Sequence, residues 1–433
     1  MTSTYSPSIS NTYRKITRST KNIDPFSVTF QRNTQTPIHR WFPYKEGFSQ
    51  SFVENMFKRY KINKKSRIFD PFTGCGTILV EAKKREIYSA GFELNPFVHF
   101  LAKVKLNWDI DIILLEQVFN EILNKYKFLK SNKEKNKEFL EAKTNITLKP
   151  PSMNTLEKFY DKNTITRLLI LKEHWFFLDN ISLRNLLMLI FSSLLVDMSN
   201  ASRSPSLGYK KSKMTMEKNV WEEYVNRLNI VIQDLKWIRK KYNVKNNNYK
   251  LVMEDNRTSK AFDGEKFTNI ITSPPYVNNI DYIRNTKLEL FWCDFVKSKE
   301  AFYQLKKAFS RSFLGSIKEN EIIEVSPSIV KLAEEIKQSK PFNKKVPAMI
   351  TAYFKDMETT FKNLNKILEP GAKIAVVIGD SCFSNVHIPT DILLCELLKP
   401  LGYIVEEIEI VRFRRSTFHK TKLRECIIHL RYP

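Results

Sequence analysis

Three short stretches of the chain combine residue types and spacings that could do chemistry. The first, Asp70-Pro-Phe-Thr-Gly-Cys-Gly-Thr77, holds two of the 10 glycines in 433 residues. It falls where a strand-like run ends and a helical pattern begins. A glycine loop there lets the backbone approach a ligand, and the helix behind it offers free N–H groups and a positive dipole. Asp70 at the head of the loop would repel phosphate and favour a ligand bearing an ammonium. The Gly-Lys-Ser or Gly-Lys-Thr of a nucleotide P-loop is absent. The second stretch, Gly91-Phe-Glu-Leu-Asn-Pro96, places Glu93 at the end of the next strand, where a carboxylate accepts hydrogen bonds from ribose hydroxyls. A ligand that is both amino acid and nucleoside is S-adenosylmethionine.

The third stretch is Thr272-Ser-Pro-Pro-Tyr276. Two consecutive prolines hold the backbone extended and carry no N–H. They leave the carbonyls of Ser273 and Pro274 as acceptors, with the Ser273 hydroxyl beside them and the Tyr276 ring as a stacking face. That arrangement suits a planar base with an exocyclic amine. Two acceptors on the amine protons favour a pyramidal nitrogen whose lone pair can attack a sulfonium methyl in line. Neither a metal nor a nucleophilic cysteine is needed.

The elements that must position these residues follow from periodicity. Ser66 to Asp70 reads as a strand, Thr77 to Arg85 as a helix, Ile87 to Glu93 as a strand and Asn95 to Lys105 as a helix. This alternation implies a doubly wound α/β sheet with parallel strands and right-handed crossovers. From about Asp109 to Asn247 long helical patterns take over (Ile112 to Leu129, Thr164 to Phe177, Leu183 to Met198, Glu217 to Tyr242), with no convincing strand, so 109–248 reads as a helical insertion. Strands resume at Tyr249 to Met253 and Phe267 to Thr272. A long helix spans Val346 to Leu368, and a helix at Thr390 to Leu401 follows a strand at Lys373 to Ile378. Ile404 to Val411 and Glu425 to Arg431 form an antiparallel hairpin that closes a mixed sheet. Residues 1–38 are polar, without apolar periodicity, and read as a flexible basic arm.

Composition narrows the partners. Lys+Arg number 71 and Asp+Glu 46, a formal net charge of +25. Such an excess points to a polyanion such as nucleic acid, although a Lys-rich solvated surface would give the same number. The 5 cysteines, Cys75, Cys293, Cys382, Cys395 and Cys426, form no close pair, so neither a zinc knuckle nor a disulfide framework is expected and no metal is called for. No apolar run is long enough for a membrane span and none resembles a signal peptide, so a cytoplasmic protein is expected.

On these residues the chain resembles the S-adenosylmethionine-dependent DNA amino-methyltransferases, whose sheet is Rossmann-like. Asp70 to Thr77 matches the family's first motif, Glu93 its second and Ser273-Pro-Pro-Tyr276 its catalytic motif. The resemblance implies that Asp70, Phe72, Gly74, Gly76, Thr77 and Glu93 hold the cofactor, and that Ser273, Pro274, Pro275 and Tyr276 hold the target amine. Asp255 falls where the family contacts the cofactor's adenine, with Glu254 competing for that role. His39 to Phe52 is similar to the stretch these enzymes fold over the methionine end of the cofactor. The resemblance covers 39–105 and 249–433, within a catalytic domain of 39–108 and 249–433, and leaves 109–248 as a possible DNA-recognition region.

Ser rather than Asp in the catalytic motif resembles the cytosine-N4 subgroup, with N6-adenine as the alternative. RNA guanosine-N2 methyltransferases share a similar first motif but usually carry Asn-Pro-Pro-Tyr or Asp-Pro-Pro-Tyr and an N-terminal RNA-binding domain. The implied partner is double-stranded DNA, with a cognate restriction endonuclease beside it.

Two basic segments are candidate DNA contacts. The turn after Ile404 to Val411 carries Arg412, Arg414, Arg415, Lys420 and Lys422 interleaved with Phe413, Phe418 and His419. The loop Asn200 to Lys213 carries Arg203, Lys210 and Lys211. Gly379-Asp-Ser381 follows a strand at the sheet's ligand edge and could support the base. His99 and His174 lie on helical segments without metal-ligand spacing.

Overall fold

The computed structural model describes residues 13, 15–20, 23–131, 147–203, 206–210, 219–243, 245, 247–309, 311–317, 323–416 and 421–433. At its centre β2 (Arg67–Asp70) and β7 (Phe267–Thr272) run parallel, with Phe69 opposite Ile270. Both are largely buried on both faces, as central strands of a parallel sheet must be. Beyond β2 the sheet continues through β3 (Tyr88–Phe92) and β6 (Tyr249–Val252). Beyond β7 it continues through β8 (Leu368–Gly379), β12 (Lys422–Arg431), β11 (Ile404–Arg415) and β1 (Thr17–Ser19). Among the described strands of this sheet, only β12 is antiparallel to its neighbours. The sheet grows in opposite directions from β2 and from β7, so the crevice outside their carboxyl ends is the ligand position for this topology.

Successive strand residues face two different cores. Ile68, Ile271, Val377 and Ile427 belong to one, and Phe69, Ile270, Ile378 and Ile428 to the other. The first is covered by α1 (Gln50–Arg59), α2 (Thr77–Lys84) and α3 (Pro96–Leu106). The second is covered by the helices 327–338, 346–364 and 390–398. Helices on both faces of a mostly parallel sheet make this the doubly wound α/β architecture that the alternating pattern implies.

The described residues of 109–248 include four long helices, α4 (Ile112–Ser131), α5 (Lys162–Phe176), α6 (Ile181–Leu194) and α7 (Val220–Lys241). Their buried faces, including Leu186, Leu189, Leu228 and Leu235, share one continuous core with Ile78, Leu79 and Leu101 of α2 and α3. Asp234 of α7 is the polar tie. Its carboxylate accepts from the Ile38 N–H (3.1 Å), the Trp41 indole N–H (2.9 Å) and the Arg40 guanidinium. Lys105, fully buried, donates to the carbonyls of His39 and Phe42, both at 3.1 Å. The segment 38–42 is thereby pinned from two sides.

The structure departs from the sequence pattern in three places. Within the 1–38 arm, β1 pairs with β11, and Asn33 is buried, donating to the Phe48 carbonyl (3.1 Å) and accepting from the Gln50 N–H (2.9 Å). Order here comes from strand pairing, side-chain-to-backbone bonds and scattered buried residues such as Ile23, Val28 and Ile38, which leave no apolar periodicity. Within the helical block, Ala201–Arg203 (β4) and Leu207–Tyr209 (β5) form a hairpin too short to show alternation. Finally, β11 runs on through Arg415, with Arg412 opposite Glu425 and Arg414 opposite Leu423. Arg412 and Arg414 thus belong to a strand, and the turn begins after them. A short ribbon of β9 (Ser381–Phe383) and β10 (Val386–Ile388) follows β8.

Candidate active site

The glycine loop is laid against β3 by close backbone contact. Thr73 N–H donates to the Phe92 carbonyl (2.9 Å), and a Cβ on Gly91 would lie 2.2 Å from Thr73 Oγ1 and 2.4 Å from the Asp70 carbonyl oxygen. Gly76 sits at φ +82°, where a side chain is strained, and its Cβ would press on Ala102 at 3.0 Å. These demands explain why scarce glycines gather here.

Asp70 lies beneath this loop, 1% exposed, and does not line the main cavity. Its carboxylate accepts from the Phe72 N–H (3.0 Å) and from the Thr272 hydroxyl (2.7 Å). Thr272 ends β7, so this bond joins the glycine loop to the Ser-Pro-Pro-Tyr stretch. Burial pushes Asp70 up to about 7 against those two hydrogen bonds. Glu93 lines the cavity and accepts from the Asn95 N–H at 2.7 Å. Burial pushes it up to about 7 as well, with the backbone N–H groups of Asn95 and Gly74 opposing and the charge of Asp70 adding.

The cavity measures about 340 Å³, within the range of small-molecule sites, and opens at the switch point between β2 and β7. Phe72, Gly74, Glu93 and the segment Tyr44 to Gly47 wall one end. Ser273, Pro274, Pro275, Tyr276, Arg412, Arg414 and Glu425 wall another. Thr77 borders a small recess that shares Phe72, Gly74 and Ser273 with the main cavity, and Gly76 lines neither.

Tyr276 is held from three directions. Its hydroxyl donates to Glu425 (2.8 Å), its N–H to the Tyr282 hydroxyl (3.1 Å), and its ring lies over Gly379, where a Cβ would meet it at 2.7 Å. Glu425 also accepts from the Arg412 guanidinium. Gly379 therefore supports the Tyr276 ring through its lack of a side chain.

Several candidate residues sit otherwise than expected. Asp255 lines the cavity, but both its oxygens accept from the Arg257 side chain, at 2.9 and 2.6 Å, and Arg257 also reaches Asp356 (2.7 Å). Glu254 is exposed and accepts from the Ser259 hydroxyl. Arg203, expected on a DNA-facing loop, has a guanidinium paired with Glu289 and donating to the Asn285 carbonyl (2.7 Å), so it braces the cavity wall. Lys210 donates to the Ser199 carbonyl (2.9 Å). Arg412 and Arg414 face inward, whereas Arg415 and Lys422 are exposed, the Lys422 ammonium 3.9 Å from the Phe413 ring centre. Lys211, Phe418, His419 and Lys420 lie outside the described residues.

Sequence reasoning missed Glu425, Tyr282, Val28 and Thr29 as cavity residues. Only the pairing of β11 with β12 reveals Glu425. Among the described residues, no group of His, Cys, Asp and Glu could hold a metal ion, and no helix is long and apolar enough to cross a membrane.

No protein-family description matches the chain. It is similar along most of its length to curated bacterial enzymes. Type II methyltransferase M.BsoBI of Geobacillus stearothermophilus is 26% identical, over 91% of this chain and 84% of that protein. Type II methyltransferase M.AvaI of Anabaena variabilis is 24% identical, over 94% and 89%. Type II methyltransferase M.MvaI of Kocuria varians is 23% identical, over 85% and 82%. Among solved structures, TrmN from Thermus thermophilus aligns with a TM-score of 0.27 at 9% identity, over 89% of this chain and 49% of that one.

The residues at the cofactor end suit S-adenosylmethionine, the methyl donor of such enzymes. Glu93, half-buried in the cavity wall, and the buried Asp70 beneath it are carboxylates without a cation beside them among the described residues, and a cationic ribosylated ligand would supply one. In sequence along most of its length, the chain is similar to Type II methyltransferases, in keeping with its resemblance to the S-adenosylmethionine-dependent DNA amino-methyltransferases.

Proposed function

We propose that the chain methylates the N4 amine of cytosine in double-stranded DNA, as the modifying partner of a restriction endonuclease. One observation carries the reading. Ser273, Pro274 and Tyr276 line the same cavity as Glu93, and the Thr272–Asp70 bond ties the two motifs together. The Ser in place of Asp favours cytosine over adenine by its resemblance to the N4 subgroup.

S-adenosylmethionine, when bound, supplies an electrophilic methyl on sulfonium. Glu93 accepts from ribose hydroxyls, and the Asp70 carboxylate keeps the glycine loop and Thr272 in register. The Ser273 hydroxyl and the Pro274 carbonyl accept the amine protons and turn the nitrogen lone pair toward the methyl. The nitrogen gains a bond to carbon as the carbon–sulfur bond breaks, and one proton leaves the amine to solvent. Tyr276, braced by Glu425 and Gly379, offers its ring to the base. A base inside a duplex cannot reach this cavity, so the target nucleotide swings out of the helix.

We assign sequence reading to the 109–248 region and phosphate contact to the exposed Arg415 and Lys422, with Lys420 and Lys211 as further contacts.

Replacing Ser273 by Ala tests the reading. Methyl transfer from labelled S-adenosylmethionine to DNA should fall about a hundredfold or more, the scale of a misplaced reacting group, while calorimetric affinity for the cofactor stays near that of the parent. Undiminished turnover would reject the assignment. Label entering RNA in preference to DNA would favour guanosine-N2 chemistry.

A further inference from the structure

Four arginines line the cavity, and three of them are paired with carboxylates: Arg203 with Glu289, Arg257 with Asp255 and Asp356, and Arg412 with Glu425. Arg414 has no carboxylate partner among the described residues. Among the described residues its hydrogen bond runs from Nη2 to the Asp380 carbonyl, and its buried Nε–H donates to none of them. Its guanidinium carbon stands 6.0 Å from the centre of the Tyr276 ring, and Nη2 would lie 3.2 Å from a Cβ on Gly379. A guanidinium with spare donors is thus held beside the ring, in the wall of the cavity that the proposed acceptors Ser273 and Pro274 also line. An unpaired buried donor is costly unless a ligand satisfies it.

We propose that Arg414 is the residue that tells cytosine from adenine, by donating to N3 and O2 of the extruded base. This rests on the N4-cytosine reading above and goes beyond it. Next to its amine, cytosine carries two successive acceptors, N3 and then O2. Adenine carries one acceptor, N1, followed by a C–H. With the amine fixed at Ser273 and Pro274, a planar fork of donors on the adjoining wall meets two acceptors on cytosine. On adenine it meets one, and a donor is left unmet. Arginine is suited to such paired recognition because its N–H groups are held in one plane. The bond to the Asp380 carbonyl and the packing over Gly379 fix the side chain's place in the cavity wall.

The test uses the full chain and duplexes carrying the site it modifies in host DNA, with cytosine, adenine or 3-deazacytosine at the target position. Arg414→Gln and Arg414→Lys should bind S-adenosylmethionine with the parent's affinity. Their kcat/KM on cytosine should fall about ten- to a hundredfold, the range of one paired base contact. Their rate on adenine should change little, so the preference for cytosine collapses. The parent should lose activity by a similar factor on 3-deazacytosine, which lacks the N3 acceptor, and the variants should lose little further. A merely structural role for Arg414 would lower all substrates alike and leave the 3-deazacytosine penalty intact in the variants, which would overturn the proposal. If Arg414→Gln fails to bind the cofactor, Arg414→Lys carries the comparison, and a 3-deazacytosine rate in the parent equal to that on cytosine overturns the proposal without any variant. N6-methyladenine as the parent's product would overturn both the N4 reading and this assignment. N4-methylcytosine with an unchanged base preference in the variants would overturn this assignment alone.

Discussion

At the cofactor end of the cavity, the half-buried Glu93 and the buried Asp70 have no cation facing them among the described residues. Around the Tyr276 end, the buried carboxylates face arginines: Glu425 meets Arg412, Asp380 and Asp391 meet Arg424, and Asp356 meets Arg257 and Arg311. The first pair is pushed up to about 7 by burial. Asp391 is also raised, to about 6, by burial and the charge of Asp380, with Arg424 opposing the rise. The contrast separates two ways of building a site. One end keeps its charges in waiting for a cationic ligand, and the other balances them within the fold and so holds its shape beforehand.

The largest effect should come from unbalancing the second end. Arg424→Met leaves Asp380 and Asp391 side by side without the guanidinium that bonds both, at 3.3 and 2.7 Å. Chemical denaturation should show a loss of about 3 to 5 kcal/mol, the usual cost of stripping one partner from a buried ion pair. A loss below about 1 kcal/mol would show that the charges there are not mutually supporting.

At the first end the expected effect lies in binding and in pH. Glu93→Ala should weaken S-adenosylmethionine about ten- to a hundredfold, since a charged acceptor contributes roughly 1.5 to 3 kcal/mol. Because burial raises the carboxyl values above those of the unfolded chain, the folded form keeps protons that the unfolded form has lost. Stability of the ligand-free protein should therefore decline as pH rises from about 4 through about 7. Affinity for the cationic cofactor should increase over the upper part of that window as Glu93 ionises. In Glu93→Gln both slopes should flatten, which thermal melts and calorimetry at stepped pH would detect. Slopes equal to the parent's would mean that Glu93 does not titrate there.

The smallest effect concerns the hairpin beyond the cavity. Replacing Arg415 and Lys422 together by Ala should weaken specific and random DNA alike. The slope of log affinity against log salt should flatten by up to about two, since each phosphate contact contributes roughly 0.9. A parent-like slope would move phosphate contact to the helical block.

The two ends also differ in how far the amino-acid sequence reveals them. The cofactor end depends on local backbone demands. Gly76 needs a positive φ, Gly91 a missing Cβ, Asp70 ends β2 and Glu93 directly follows the adjacent β3, so the signal lies within 24 residues of chain. Pro274 and Pro275 likewise announce themselves, at the end of a strand whose bounds the pattern reads correctly. The other end is assembled from pairings between distant residues. Arg-Phe-Arg-Arg at 412–415 has the composition of a solvated turn. Only Glu425 opposite Arg412 on β12 shows that it is strand with two inward arginines. Arg203 reads as a phosphate contact until Glu289, 86 residues later in the chain, is seen beside it. Asp255 looked free for an adenine, and Arg257 two residues on occupies both its oxygens. Charge pairing is a tertiary property, and a count of basic residues does not reveal which are already spoken for.

The most direct measurement is the identity of the methylated nucleoside. DNA from cells expressing the full chain should be hydrolysed and analysed by mass spectrometry, beside DNA from cells expressing Ser273→Ala. N4-methylcytosine in the first sample and its absence from the second is the expected result. N6-methyladenine in its place, or no methylated nucleoside in DNA from cells that make the folded protein, would contradict transfer to the cytosine amine.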